Sequence, residues 1–153
     1  MKKKIIDSVL LSVLLTAITA GVAMLFVDTK SQWYLSLNQP SFQPPGWVFG
    51  VVWTILYCLY AASLSLAQIK AVPEKTYISF LAQAVLNIGW CLFYFTLHLL
   101  FVGLGIIIAY LVCTYLTIRS VYPYSKTGAL ILLPQCLWLI LAAVLNYTTI
   151  LLN

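Results

Sequence analysis

The sequence predicts an all-α integral membrane protein, a bundle of five transmembrane helices with a long structured first loop that acts as a lid. Three observations support this prediction. Hydrophobic residues make up 63% of the chain and charged residues only 7%, whereas a soluble domain has about 25% charged residues. The charged residues form short clusters that leave long uncharged stretches between them. Each stretch offers at least the ~20 residues that a helix needs to cross a bilayer core of ~30 Å.

The uncharged stretches define the spans. Residues 8–27 and 127–153 each fit one helix, residues 31–69 fit a loop and one helix, and residues 76–118 fit two helices. The apolar part of the first span exceeds the roughly 7–15 residues of a cleaved signal peptide, which favours a retained helix. We therefore expect a single transmembrane domain over 1–153, with spans at about 6–27, 46–68, 77–97, 101–121 and 127–151 and the lid loop at 28–45.

The loop at 28–45 is aromatic, rich in proline and free of charge after Lys30. Its prolines fix φ and push the preceding residues toward extended conformations, which stiffens the loop. Its aromatic side chains are too apolar to remain solvated in a disordered segment. An interfacial aromatic belt is the alternative, but a belt does not account for the proline spacing. The candidate ligand-facing residues of the lid are Trp33, Tyr34 and Pro44.

A spacing of three or four residues groups polar and aromatic side chains on single faces of three spans. Polar side chains in lipid are costly unless they face the bundle or a cavity, so these faces should point inward. One alternative is a packed core in which Asn87 and Asn146 supply interhelical hydrogen bonds. Large flat aromatics beside the small Ala142 favour a gap for a planar ligand. The residues concerned are Trp53, Tyr57 and Tyr60 on the second span, Gln83, Asn87, Trp90 and Tyr94 on the third, and Pro134, Trp138, Ala142 and Asn146 on the fifth.

The basic residues predict the orientation. All of them except Lys30 fall at one end of a five-span arrangement. By the positive-inside rule, the N-terminus is cytoplasmic and the C-terminus lies outside, in what we expect to be a bacterial cell membrane. The net charge of +5 then reflects topology and not nucleic-acid binding. The expected partner is the lipid bilayer, and the small residues Ser79, Ala82 and Gly89 on the third span would permit a homodimer.

Residues for conventional catalysis are scarce. The three acidic residues lie at span edges, and there is one histidine, His98. No Ser-His-Asp or Cys-His-Asn constellation can therefore be built within the bundle. The four cysteines lie in different spans without a CxxC pair, so we expect no metal site and no disulfide framework, and interpret them as small buried apolar residues. Haem iron would need an axial ligand, and we expect His98 to be a solvated turn residue.

Three separated blocks of sequence resemble one family. They are Trp33-Tyr34 with Pro40-x-Phe42-x-Pro44-Pro45-x-Trp47-Val48-Phe49 and Trp53-x-x-x-Tyr57, then Asn87-x-x-Trp90-x-x-Phe93, then Pro134-x-x-x-Trp138-x-x-x-Ala142-x-x-Leu145-Asn146. In order and spacing the chain is similar to a bacterial member of the translocator protein family, also called tryptophan-rich sensory proteins or peripheral-type benzodiazepine receptors. The resemblance implies a five-helix bundle whose pocket opens toward the first loop. It also implies binding of porphyrins such as protoporphyrin IX, of drug-like isoquinoline-carboxamides and benzodiazepines, and in some members of cholesterol.

The resemblance further implies that Trp53, Asn87, Trp90, Trp138 and Ala142 line that pocket. Light-dependent protoporphyrin degradation is assigned to bacterial members, which makes Trp53 and Trp138 the candidate catalytic residues. Protoporphyrin IX is therefore expected as ligand or substrate, with no obligatory cofactor. The family's proposed sterol motif ends in Lys or Arg, and the uncharged residues 148–153 supply neither, which disfavours sterol binding.

Three functions of different classes remain open from the sequence. The first is a membrane receptor or sensor that binds porphyrins and planar drug-like molecules beneath the first loop. The second is an enzyme that degrades protoporphyrin with light and oxygen. The third is a transporter of porphyrin or other lipophiles, although the spans show neither internal repeats nor the mid-span charges of ion-coupled carriers. The candidate ligand-binding residues are Trp33, Tyr34, Pro44, Trp53, Tyr57, Asn87, Trp90, Tyr94, Trp138, Ala142 and Asn146.

Overall fold

A computed structural model describes residues 2–153, most of which are helical. In chain order the helices are α1 (Lys2–Met24), α2 (Gln32–Ser36), α3 (Gly46–Ile69), α4 (Glu74–Cys91) with a π-helical turn (Leu92–Thr96), α5 (Leu100–Val121), α6 (Lys126–Leu130) and α7 (Leu133–Leu152). Five segments are long and apolar enough to cross a membrane: α1, α3, α4 with its π turn, α5, and α6 together with α7. The predicted all-α membrane fold with five spans is therefore confirmed.

The last span is broken where the sequence predicts one helix over 127–151. Proline has no N–H, and its ring clashes with the carbonyl four residues earlier, so Pro134 cannot continue a helix from α6. The chain passes through Ile131 and Leu132 and restarts as α7, with Pro134 in its first turn. The break lies near the lysine-rich end, and further along α7 residues such as Ala142 and Asn146 are buried in the bundle.

The third span ends in the π turn instead of a regular helix over 77–97. The Leu97 N–H donates to the Leu92 carbonyl at 2.9 Å, and the Leu99 N–H donates to the Phe93 carbonyl at 2.8 Å. His98 then reverses the chain with a φ of 58°. A π turn rotates the side chains that follow it relative to those before it, and such turns are frequent at functional sites.

A buried polar network joins α4, α5 and α7. Gln83 Nε2 donates to Thr117 Oγ1 at 2.8 Å, and Gln83 Oε1 accepts from Gln135 Nε2 at 2.8 Å and from Thr114 Oγ1 at 3.0 Å. All four side chains are buried. In lipid such groups stabilise helix association because water cannot satisfy them. Gln83 thus joins α4 to α5 and α7 by hydrogen bonds. It does so although the helical spacing of the sequence groups it on one face with Asn87, which lines a cavity described below.

Helix α1 packs mainly against α3 and α4. Gln68 Nε2 of α3 donates to Ser12 Oγ of α1 at 3.0 Å, and Tyr60 Oη of α3 donates to the Phe80 carbonyl of α4 at 2.7 Å. Ser63 Oγ ties α3 to the Gly128 carbonyl of α6 at 2.7 Å. These bonds lie toward the lysine-rich end of the bundle.

Contacts at the two ends of the bundle agree with the grouping of loops expected from the charges. At one end Lys4 Nζ lies 3.4 Å from the Ile69 carbonyl. At the other end Asn38 of the first loop bonds to the end of α7: its N–H donates to Asn153 Oδ1 at 2.9 Å, and its Nδ2 donates to the Leu152 carbonyl at 3.2 Å. The first loop and the end of α7 therefore share one end of the bundle.

Two of the three small residues on the third span face α5 within the chain. A Cβ atom on Gly89 would lie 3.9 Å from Ile106 Cδ1, and the hydroxyls of Ser79 and Thr117 lie 2.9 Å apart. The lipid-facing side of α4 instead presents Ile78, Leu81 and Val85. A homodimer through the third span stays a prediction, and these larger residues would form its surface.

Candidate functional site

A cavity of about 1430 Å³ lies between α1, α3, α4 and α7, beneath the first loop. Helix α1 lines it from Val9 to Met24, Val27 lines it just after that helix, and α3 lines it from Gly46 to Ile69. Asn87, Trp90 and Cys91 of α4, Tyr94 and Phe95 of the π turn, Ala142 and Asn146 of α7, and Thr29, Tyr34 and Gln43 of the loop complete the wall. No charged side chain of the described chain lines it. The cavity is larger than the ~300–1,000 Å³ that is usual for ligand pockets.

Most of the residues selected from the sequence surround this one cavity. Those that line it are Tyr34, Trp53, Tyr57, Asn87, Trp90, Tyr94, Ala142 and Asn146. They come from the loop and from three helices that are distant in sequence. The interhelical packing therefore brings together side chains that the sequence groups only helix by helix.

Aromatic rings form a continuous wall at the loop end of the cavity. The ring centroids of Trp53 and Trp90 lie 6.1 Å apart, those of Trp90 and Tyr94 lie 5.7 Å apart, and those of Tyr94 and Phe95 lie 4.7 Å apart. Phe95 in turn lies 5.7 Å from Tyr34 of the loop. All of these separations fall within the ~4.5–7 Å of favourable aromatic pairs. The wall thus runs from the middle of α3 to the lid.

Two asparagines present unpaired polar atoms beside this wall. Tyr57 Oη donates to Asn87 Oδ1 at 2.8 Å, which leaves Asn87 Nδ2 without a partner in the described residues. Asn146 Nδ2 donates to the Leu100 carbonyl at 3.1 Å, which leaves Asn146 Oδ1 unpaired. The two residues are 1% and 2% exposed. Each amide therefore joins two helices through one atom and leaves the other unpaired, at a cost of ~1–3 kcal/mol per unpaired group. The unpaired Asn146 Oδ1 lies against Gly103 of α5, so Asn87 Nδ2 is the unpaired atom that a ligand could use.

Three of the selected residues do not line the cavity. Trp138 is buried behind Phe49, which does line it, with ring centroids 5.4 Å apart at 72°. Trp33 stacks on His98, with centroids 4.0 Å apart at 13°. Pro44 lies half-buried in the loop. Trp138 and Trp33 therefore support the residues of the wall rather than forming it.

His98 is an exposed turn residue, as the sequence predicts, and it also stacks on Trp33. His98 sits at the turn after the π helix and joins that turn to the lid through the indole. It does not line the cavity. The described residues contain no cluster of three or more His, Cys, Asp or Glu side chains that could hold a metal ion.

The lid is an ordered element built on a short helix. Ser31 caps α2 by accepting from the Tyr34 N–H at 3.2 Å. Gln43 Nε2 lies 3.4 Å from Tyr34 Oη, so both ends of the loop meet above the cavity. Burial raises the pKa of the Tyr34 hydroxyl, and the hydrogen bond from Gln43 partly opposes that rise. The hydroxyl therefore stays neutral at physiological pH.

One entire wall of the cavity, formed by α1, is not predicted from the sequence. Residues of α1 line the cavity over most of its length, but apart from Thr16 they are apolar, and none is aromatic. A weak signal did exist on α3, where small residues recur every four positions: Gly46, Gly50, Thr54, Cys58 and Ala62.

The four cysteines differ in burial. Cys58 is exposed, and only Cys91 of the four is fully buried. The interpretation of all four as buried is therefore wrong.

Comparison with known proteins agrees with this architecture. A model of the TspO/MBR family matches residues 9–152. The Tryptophan-rich protein TspO of Archaeoglobus fulgidus is 34% identical over 94% of this chain and 96% of its own length. The Tryptophan-rich sensory protein of Cereibacter sphaeroides is 26% identical, with 80% and 77% covered. The human Translocator protein is 30% identical, with 76% and 72% covered.

Proposed function

The chain belongs to the TspO/MBR family, a family of multi-pass membrane sensors and translocators, and we propose that it binds porphyrins such as protoporphyrin IX in the cavity beneath its first loop. One observation carries the proposal. Eight side chains from four separate elements, chosen from the sequence as ligand-binding candidates, line a single cavity. Planar drug-like aromatics would occupy the same space.

The dimensions and surface of the cavity support a flat, mainly apolar ligand. A volume of about 1430 Å³ has room for a macrocycle, and the tilted rings of Trp53 and Trp90 provide a stacking surface. Asn87 Nδ2 offers an unpaired donor to the polar atoms of the ring. Unpaired ionised carboxylates are costly to bury. The carboxylates of a porphyrin would therefore point toward the loop and water.

We expect Trp53→Ala to weaken protoporphyrin IX binding about tenfold, since an aromatic contact contributes ~0.5–1.5 kcal/mol beyond its buried area. Asn87→Ala should weaken binding as well, because it removes the unpaired donor. The measurement is a fluorescence titration of purified protein in detergent. Trp47→Ala is the matched control, since Trp47 is 71% exposed and does not line the cavity. Equal affinities for Trp53→Ala and Trp47→Ala in folded protein would remove the cavity as the site.

A second candidate function is light- and oxygen-dependent degradation of the bound porphyrin. The observation that favours it is the position of Trp53, which lines the cavity and contacts Trp90 of the aromatic wall. An oxidisable indole would therefore lie beside a porphyrin bound there. Light and oxygen would supply the oxidation. The protein would supply orientation, exclusion of water and the neighbouring indole.

For the orientation, we propose that the lysine-rich end lies in the cytoplasm and the lid outside. Single cysteines placed at Lys30 and Lys70, in a background without the native cysteines, would report it. A membrane-impermeant maleimide applied to intact cells should label the cysteine at position 30 and leave the one at position 70 unlabelled. Labelling of position 70 alone would reverse the assignment.

A further inference from the structure

The cavity continues far beyond the aromatic wall, as a cleft between α1 and α3 that reaches the lysine-rich end. We refer to the part lined by Val9, Val13, Ala17, Cys58, Ala62 and Leu66 as the inner cleft. We propose that the inner cleft holds one acyl chain of an anionic phospholipid, whose headgroup lies against Lys4 and Lys70. This site is separate from the proposed porphyrin site and does not depend on it.

The length of the cleft matches one leaflet. Helix α1 lines the cavity from Val9 to Met24, which at ~1.5 Å per residue is ~22 Å, most of a hydrocarbon core of ~30 Å. One leaflet covers about half of that thickness, or roughly ten helical residues. An acyl chain that starts near Val9 therefore ends near Ala17. Trp53 and Tyr57 lie beyond the end of such a chain, toward the lid, where the aromatic part of the cavity begins.

The chemistry of the inner cleft is that of hydrocarbon. The polar groups nearby are already paired: Ser65 Oγ donates to the Ala61 carbonyl at 2.8 Å and Thr16 Oγ1 to the Ser12 carbonyl at 2.7 Å. The small side chains of Cys58 and Ala62 leave the cleft open on its lipid-facing side, where both residues are exposed. An empty apolar gap loses dispersion contacts on its lining. In a bilayer the nearest material that can fill it is an acyl chain.

Charge at the mouth of the cleft selects the headgroup. Lys4 Nζ lies 3.4 Å from the carbonyl of Ile69, which itself lines the cavity. The other exposed charged residues described on α1 and at the connection from α3 to α4, at the same end, are Lys3, Lys70, Lys75, Asp7 and Glu74. With Lys4, the lysines outnumber the acids four to two, so the end of the cleft favours a lipid phosphate whose charge is not balanced by a choline. An anionic lipid satisfies both the apolar cleft and its cationic mouth.

Native mass spectrometry of the purified full chain tests the proposal with two probes of equal chain length, dioleoylphosphatidylglycerol and dioleoylphosphatidylcholine. The wild type should retain one phosphatidylglycerol at least fivefold more often than phosphatidylcholine. Ala62→Phe and Cys58→Phe fill the cleft and should each lower retention of both lipids about tenfold. Both positions face lipid, so the helices should still fold, which thermal unfolding would verify.

Matched variants separate the cleft from the general lipid surface. Val112→Phe enlarges an exposed residue of α5, a helix that does not line the cavity, and should leave retention unchanged. The Lys4→Gln/Lys70→Gln pair should abolish the preference for phosphatidylglycerol, whereas Arg119→Gln on α5 should preserve it. Equal retention in Ala62→Phe and Val112→Phe would overturn the acyl-chain site. An unchanged lipid preference in the lysine pair would overturn the headgroup assignment.

Discussion

Trp53→Phe should slow the light-driven loss of bound protoporphyrin IX about tenfold, equivalent to ~1.4 kcal/mol in the barrier, while the same change at Trp138 should have little effect. Phenylalanine keeps most of the aromatic bulk but is much harder to oxidise than an indole. Trp53 lines the cavity, and Trp138 lies behind Phe49. The sequence treats these two tryptophans as equivalent, and the structure separates them.

The measurement is the decay of porphyrin fluorescence under illumination in air, beside a binding titration on the same preparations. Trp138→Phe is the matched control, and dark and oxygen-free samples give the background. No acidic or histidine side chain of the described chain lines the cavity, so the rate should vary little between about pH 6 and 8, where an acid–base enzyme would titrate. Full photodegradation by Trp53→Phe, or equal loss in the dark, would leave the protein as a binder only.

Gln83→Leu should lower the free energy of unfolding by about 2–4 kcal/mol, since interhelical hydrogen bonds in membranes contribute ~0.6–1.7 kcal/mol each. The substitution keeps a similar side-chain volume but breaks three bonds at once, those to Thr114, Thr117 and Gln135. It also leaves the buried amide of Gln135 with fewer partners, and the loss of pairing for a buried group adds to the cost.

Equilibrium unfolding in mixed detergent micelles would measure this effect. Gln68→Leu is the control, because Gln68 is half-buried and makes one side-chain hydrogen bond, to Ser12. It should cost less than about 1 kcal/mol. If both variants unfold at the same denaturant concentration, the buried network contributes no more than an ordinary surface amide, and its role in joining α4, α5 and α7 would have to be abandoned.

The sequence predicted the number of spans and the bounds of two of them, for a physical reason, whereas the first span was expected at 6–27 and is observed at Lys2–Met24. Lipid excludes charge and demands ~20 helical residues per crossing, so gaps between charged clusters reveal helices directly. The second span was predicted at 46–68 and is observed at Gly46–Ile69, and the fourth was predicted at 101–121 and is observed at Leu100–Val121. The breaks at Pro134 and in the π turn depend on local backbone bonding, to which hydropathy is insensitive.

The sequence identified every residue of the aromatic wall except Phe95, because indoles, phenols and amides inside lipid must face protein or a cavity. It could not separate Asn87 from Gln83, which lie four residues apart on the same side of α4. In the tertiary structure Gln83 meets Thr114, Thr117 and Gln135 and is fully used in pairing. Asn87 meets only the Tyr57 hydroxyl and keeps a free donor.

By itself, then, the sequence determined that lipid surrounds most of this protein. It also determined the number of spans, the grouping of the loops and the inward faces of α3, α4 and α7. Each of these follows from transfer energies and helical periodicity, which are local properties of the chain. Only the tertiary structure decided that Trp138 stands behind Phe49, that Trp33 stacks on His98, and that α1 walls a cleft reaching the lysine-rich end. These features depend on the distances between helix axes, which are set by the sizes of the side chains that pack between the helices. Such a distance depends on two segments at once and cannot be derived from either one alone.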